Sequence, residues 1–278
     1  MARKRWVLFL VALLGGGCWR CHSDEGSRWR VYRSADGLGD SSAVAVTISP
    51  RGNIWAKHSD GSISWLDGYQ ARDIAVSSGG NFPVYESRSG QIWSVYADGV
   101  QEYRRDQWVQ YPVSEIRAEN RSSVLRSVRP VPLLPAERDH ILAALPDRLL
   151  EFDSGQNRTG VLRWARETKL GRFNDLIEAR DGGAWLSGTN GLAKLPGPVR
   201  RLTPESRWQE FQFEAASQVQ NLERPFEDDE GGVTVAADSP QTAGGLCCTG
   251  TVRLGDRRFQ RPKRPAMPGG IWTGRFGP

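Results

Sequence analysis

Sulfur and imidazole are scarce in this chain of 278 residues, which carries two Met, four Cys and three His. The three histidines, His22, His58 and His140, are scattered, and there is no Gly-x-Ser-x-Gly elbow, no metal-binding His pair and no phosphate loop. Hydrolytic, zinc and nucleotide chemistry therefore find no sequence support. No window rich in Ala, Leu, Glu and Lys suggests a helical protein, and beyond the N-terminus no apolar stretch approaches the ~20 residues that a membrane helix needs.

What is abundant points elsewhere. Eleven Trp, thirty-one Gly and sixteen Pro favour many short strands joined by turns. The formal charge of +5 is concentrated at the ends, in Arg3, Lys4 and Arg5 and again in Arg257, Arg258, Arg261, Lys263 and Arg264. A nucleic-acid reader more often shows a basic stripe interleaved with aromatics on a recognisable reading module, so no nucleic-acid partner is expected.

Residues 1–17 read as a signal peptide: a basic start, an apolar run over 6–14, and then Gly15, Gly16 and Gly17 before Cys18. Two fates stay open at that junction. Cys18 resembles the acylated first residue of a bacterial lipoprotein, although Leu14 lies one place further upstream than that signal prefers; ordinary cleavage near Gly17 is the alternative. Either way the mature chain is expected to be periplasmic or extracellular, with membrane association only through a lipid on Cys18 or a span encoded further downstream.

The chain repeats itself. Gly52-Asn53-Ile54-Trp55 recurs as Gly90-Gln91-Ile92-Trp93, as Gly182-Gly183-Ala184-Trp185, as Gly231-Gly232-Val233-Thr234 and as Gly269-Gly270-Ile271-Trp272. A degenerate copy, Asp139-His140-Ile141-Leu142, fills the wide gap between the second and third of these. The Trp position thus falls at 55, 93, 142, 185, 234 and 272, with steps of 38, 49, 43, 49 and 38. A period near ~40 residues is the mark of propellers and related repeat folds.

Within each good copy a second signal follows the Trp by five residues: Asp60-Gly61, Asp98-Gly99 and Asn190-Gly191. These dipeptides suit type I′ hairpins, in which both central residues take positive φ. An alternating apolar strand precedes the Gly turn, as in Val44-Ala45-Val46-Thr47-Ile48, and an aromatic strand follows the hairpin, as in Gln107-Trp108-Val109-Gln110-Tyr111 or Arg207-Trp208-Gln209-Glu210-Phe211. Four short antiparallel strands per unit, repeated radially, make an all-β propeller over residues 28–278, after a linker at 18–27. The Trp is expected to be inter-blade packing, not a ligand platform. Arg28-Trp29-Arg30-Val31-Tyr32 reads as a strand that closes the ring from the N-terminus. The sixth unit stops in or just beyond its second strand, so the ring is expected to be incomplete or truncated.

The residues from Leu170 to Leu195, and above all Asp181-Gly182-Gly183-Ala184-Trp185 with Asn190-Gly191, resemble the two-component regulator propeller repeats of bacterial hybrid histidine kinases. Ser34-Ala35-Asp36-Gly37-Leu38 resembles the phrase that opens those units. The resemblance implies a periplasmic sensor propeller that takes part in signal transduction, with any kinase activity in a downstream region that this chain lacks. It implies no cofactor and no enzymatic activity of its own. Two rivals stand beside it: a propeller enzyme similar to streptogramin lyases, and a free-standing propeller that binds carbohydrate or protein.

Other constellations yield weaker expectations. Cys18-Trp19-Arg20-Cys21-His22 fits the covalent haem motif, in which Cys18 and Cys21 form thioethers and His22 is the axial ligand. Cys247 and Cys248 are adjacent in a Gly-rich insertion and offer no metal-ligand spacing. The acidic run Glu227-Asp228-Asp229-Glu230 suits either a hard cation or a solvated turn. Loops such as Tyr69-Gln70-Ala71-Arg72 and Tyr103-Arg104-Arg105-Asp106 combine aromatics with Arg, which suits an extracytoplasmic ligand such as a glycan, or a protein partner.

Overall fold

The computed structural model describes residues 31–40, 42–68, 70–74, 82–123, 130–136, 139–212, 220–229, 231–239, 248–254 and 271–273. Five four-stranded sheets follow one another along the chain. The first contains β1 (Ala43–Ile48), β2 (Ile54–His58), β3 (Ile63–Leu66) and β4 (Ala71–Ile74), and the second β5 (Val84–Glu86), β6 (Ile92–Tyr96), β7 (Gly99–Arg104) and β8 (Gln107–Pro112). The third holds β9 (Leu133–Pro135), β10 (His140–Leu145), β11 (Arg148–Asp153) and β12 (Arg158–Trp164), and the fourth β13 (Phe173–Glu178), β14 (Ala184–Gly188), β15 (Gly191–Leu195) and β16 (Gln209–Gln212). In the fifth are β17 (Gln220–Glu227), β18 (Val233–Ser239), β19 (Cys248–Leu254) and β20 (Ile271–Thr273).

In the first four sheets every strand pairs antiparallel with its neighbour in sequence. They form the four antiparallel blades of a β-propeller, with the first strands of consecutive sheets lying against one another. This is the all-β architecture that the repeat and the resemblance implied.

The core explains why the sequence folds this way. Four buried apolar clusters form, and each draws on two consecutive sheets. Trp55, Ile63 and Val84 join the first two sheets, and Trp93, Val95, Leu133, Ile141 and Phe152 join the second and third. Leu142, Leu149, Leu176 and Leu186 join the third and fourth, and Trp185, Leu192, Leu222, Val233 and Val235 join the fourth and fifth. A lone twisted sheet leaves both faces wet; each blade here covers its neighbour. The Trp rhythm therefore marks inter-blade packing, with Trp55, Trp93 and Trp185 all buried and Leu142 standing in for Trp in the third sheet.

Three local expectations are corrected. The Asp-Gly and Asn-Gly pairs do not form type I′ turns: Gly61 has φ +90°, but Asp60, Asp98 and Asn190 have no positive φ, and Gly99 and Gly191 are the first residues of β7 and β15. The turn with two positive φ values is Arg105-Asp106, at +49° and +60°, between β7 and β8. Glycine is needed at 99 and 191 for a different reason, the close approach of the blade's own fourth strand. A Cβ on Gly99 would lie 2.2 Å from the Tyr111 carbonyl oxygen, and one on Gly191 2.3 Å from that of Phe211.

The second correction is at Trp272. Ile271–Thr273 does not open a sixth sheet; it pairs in parallel with β19 as the fourth strand of the fifth. A three-residue apolar segment with no hairpin partner of its own gains hydrogen bonds most directly on an open edge. The third is the helix α1 (Ser114–Ser123), which lies in the wide gap between the second and third sheets and was not foreseen. Ile116 anchors it in the core, the Asn120 amide donates to the carbonyls of Tyr96 and Ala97 at 3.0 and 3.2 Å, and Arg117 pairs with Asp98 at 2.8 Å. A polar exposed face with few apolar anchors gives little periodic signal. Residues 28–30 of the expected closing strand lie outside the described residues, and Val31 and Tyr32 are not in a strand.

Candidate functional site

The turn between the first and second strands of a blade is the most regular element of the molecule. In four sheets the same pair of backbone bonds closes it: Gly52 N–H to Ser49 O with Ser49 N–H to Asn53 O, then the equivalents at Ser87, Ala179 and Asp228. Gly52, Gly90, Gly182 and Gly231 take φ values between +79° and +86°, as a tight turn of this kind requires. Ser49, Ser87 and Asp228 add a side-chain acceptor for the amide four residues on.

This turn places a carboxylate four residues ahead of its Gly, at Glu86, Glu178 and Glu227, and Glu86 and Glu227 bond to the preceding blade. The Trp55 indole donates to Glu86 at 2.9 Å, and the Trp185 indole to Glu227 at 3.0 Å. Arginines from the same turns reach forward along the series: Arg51 to Glu86 of the next blade at 3.1 Å, Arg180 to Asp229 of the next at 3.0 Å, and Arg88 of the second blade past the third to Glu178 of the fourth at 2.5 Å. Glu86 also accepts from the Asn53 amide, so its buried carboxylate is well satisfied. The two remaining contacts of this kind have each lost one half. In the third sheet Pro135 occupies the register position of the carboxylate, and the buried Trp93 indole N–H has no partner, whereas Leu142 occupies the Trp position of that sheet and Glu178 takes Arg88 instead.

A second polar cluster lies within the first blade. His58 Nε2 is 2.8 Å from Ser64 Oγ, and Ser64 Oγ is 2.7 Å from Asp73 Oδ1. These are the residue types of a nucleophilic triad, but their order is wrong for one. The serine stands in the middle and gives its only proton to the carboxylate. The imidazole must then donate from Nε2 and cannot receive that proton, while the Gly39 amide donates to the same hydroxyl. His58 and Ser64 are fully buried, so the chain is a strut. Beside it the Lys57 ammonium, buried, donates to the Gly61 carbonyl at 2.6 Å, and burial lowers its pKa.

On the first strands of the second and fourth blades, Tyr85 and Asp175 influence one another. Burial pushes the Tyr85 phenol up, and the Asp175 carboxylate pushes it further. Burial also raises Asp175, partly offset by the amides of Leu176 and Arg224, which donate to it at 2.8 and 3.0 Å. Arg224 belongs to the fifth sheet, so Asp175 links two blades.

The remaining candidates fall as follows. The acidic run serves the blade contact: Glu227 accepts from Trp185 and from the Arg180 amide, Asp228 closes its own turn, and Asp229 pairs with Arg180. Glu230 lies outside the described residues, among which no cluster of three metal-ligating side chains forms. Arg104 is held by Glu102 and Asp139. Cys18, Cys21 and His22, and with them the lipid and haem readings, lie outside the described residues, as do Tyr69 and Cys247. No described helix is long and apolar enough to cross a membrane. The Trp–Glu contacts were missed in the sequence, although a signal was present: Glu recurs four places before the turn Gly in three units.

No protein-family profile matches the chain, and a search of curated proteins finds no match. Among solved structures the chain is similar to the extracellular domains of two hybrid two-component systems from B. thetaiotaomicron. One is 15% identical with a TM-score of 0.48 over 76% of this chain, the other 14% identical with 0.49 over 72%. The chain spans 28% of the length of each. YCF48 from Cyanidioschyzon merolae is 15% identical with a TM-score of 0.43, over 66% of this chain and 63% of that one.

Proposed function

We propose that this chain is an exported β-propeller that binds an extracytoplasmic ligand and serves as a sensing module, not as an enzyme. The observation that carries this reading is the use to which the structure puts its reactive groups. The His58–Ser64–Asp73 chain, buried at His58 and Ser64, is oriented so that the serine cannot be activated, and the turn-side carboxylates and arginines engage neighbouring blades. Such an arrangement supplies a rigid frame that presents loops, which is what a binding propeller needs. The repeat resemblance, with Asp181-Gly182-Gly183-Ala184-Trp185 and Asn190-Gly191 as its strongest match, adds the sensory role, and residues 1–17 supply export.

The ligand class we assign is glycan. Arg and Trp pairs lie on or beside the fourth strands of the third and fourth blades: Arg163 sits 4.5 Å from the Trp208 ring centroid, and Arg148 and Arg166 sit 4.4 and 4.9 Å from that of Trp164. Guanidinium groups beside indole rings suit hydroxyl-rich and anionic sugars. The test is thermal unfolding of the mature chain against a panel of neutral and acidic oligosaccharides. A specific binder at 100 times its Kd stabilises the fold by about 2.7 kcal/mol, a clear rise in Tm. Cleavage of a panel member by the chain, with His58→Ala abolishing it, would overturn the reading in favour of a lyase-like enzyme. A Soret band in the purified chain would reinstate haem at Cys18, Cys21 and His22.

A further inference from the structure

Among the described residues the faces at the two ends of the blade series are uncovered, and they are matched. β1 exposes Val44, Val46 and Ile48 at 41%, 60% and 76%, alternate residues on the side turned away from the second blade. Thr47, between them, points the other way and donates to the Val84 carbonyl of that blade. In β17, Glu227 faces the fourth blade, so the adjacent Phe226, exposed at 64%, faces outward. The outer part of the first blade is already covered by its own chain, since the Gly39 amide donates to Ser64 and Ser59 bonds Asp40. What is open is a strip along the first strand.

Strand register identifies what the strip is suited to meet. Ile48 pairs with Ile54 as Glu86 pairs with Ile92, Glu178 with Ala184 and Glu227 with Val233. Ile48 thus occupies the position that receives an indole N–H elsewhere, and it has no acceptor to offer. Thr234 pairs with Phe226 as Trp55 pairs with Thr47 and Trp185 with Ile177, so Thr234 occupies the indole position and needs no carboxylate. Both halves of the polar contact are missing, one from each open face. Leaving only one of them would bury an unpaired group, as happens at Trp93. We infer that the Val44–Val46–Ile48 strip is an interaction surface for the Phe226–Thr234 face of a second copy of this chain, in a head-to-tail contact. The contact joins two different patches and is therefore heterologous.

Sedimentation velocity on the mature chain across a concentration series tests this. Association that rises with concentration is expected. Ile48→Glu, which installs the residue that three other blades carry at this position, and Phe226→Glu should each weaken it at least tenfold while the far-UV spectrum stays unchanged. Val46→Lys provides a second variant of the strip if Ile48→Glu perturbs folding. Mixing Ile48→Glu with Phe226→Glu should restore a dimer and nothing larger, because each partner contributes its one intact face. A chain that stays monomeric at every concentration, single variants that still associate, or a mixture that does not, would each overturn the inference; the monomer result would assign the two faces to closure within one chain.

Discussion

The contact between the first and second blades and the contact between the second and third both bury the repeat Trp and differ in whether its N–H finds a carboxylate. Trp55 donates to Glu86 across the first, whereas Trp93, equally buried, has no acceptor for its N–H across the second, where Pro135 holds the register position of the carboxylate. Both contacts persist. Apolar burial is therefore the term that holds blades together, at about 25 cal/mol per Å² for rings that bury ~150–250 Å² each, and the indole–carboxylate bond is an addition that fixes register. The third and fourth blades make the converse point, because Leu142 keeps the packing and leaves Glu178 to an arginine.

The largest break in this comparison is removal of the ring itself. Trp185→Ala and Trp93→Ala should each cost about 3–5 kcal/mol in urea unfolding, with no advantage to the contact that has the carboxylate. Loss of the acceptor comes next: Glu86→Leu strands the Trp55 and Asn53 donors and should cost about 2–4 kcal/mol, measured in the same way. The comparison sharpens with a smaller change. Trp185→Phe leaves the carboxylate of Glu227 without its indole donor and should cost about 1–3 kcal/mol more than Trp93→Phe, which deletes a donor that has no partner. Glycine separates packing from turn geometry: Gly191→Ala, which meets the Phe211 carbonyl, should destabilise more than Gly52→Ala, whose Cβ meets nothing and which pays only for positive φ, about 1 kcal/mol.

The smallest effect is pH dependence at Asp175, between the fourth and fifth blades. Its folded pKa lies above the unfolded value because of burial, so the folded state holds the extra proton in the interval between the two. Stability from this group is greatest below the unfolded pKa and is lost as pH rises through the folded one. Asp175→Asn should flatten that fall, read as a convergence of the two unfolding curves at acid pH and a divergence toward neutrality that favours the variant. Equal pH slopes for the two proteins would remove Asp175 from the account.

The sequence made the blades legible because their signals are short-range. A turn Gly, a Trp three residues on and a hairpin five residues beyond that lie within one unit, and they placed β2, β6 and β14 correctly, with β10 from its degenerate copy. The Trp–Glu contacts bridge 31 and 42 residues, across a blade boundary, so no local window contains both partners. Gly99 and Gly191 were found for the wrong reason, since their need is set by a fourth strand about twelve or twenty residues later and not by their own φ, whereas Gly61 does take positive φ. β20 escaped because its sequence copies a second strand while it pairs with β19 as the fourth strand of its sheet.

The polarity of the blade contacts has one more consequence. In the Trp55–Glu86, Trp185–Glu227, Arg51–Glu86 and Arg180–Asp229 pairs, the donor sits on the earlier blade and the acceptor on or just after the first strand of the later one. For a polypeptide that emerges with its N-terminus leading, each newly delivered blade arrives acceptor strand first, onto a donor surface already waiting. Assembly can thus proceed vectorially, one blade per step, with no need for the far end to arrive before the near end is secured.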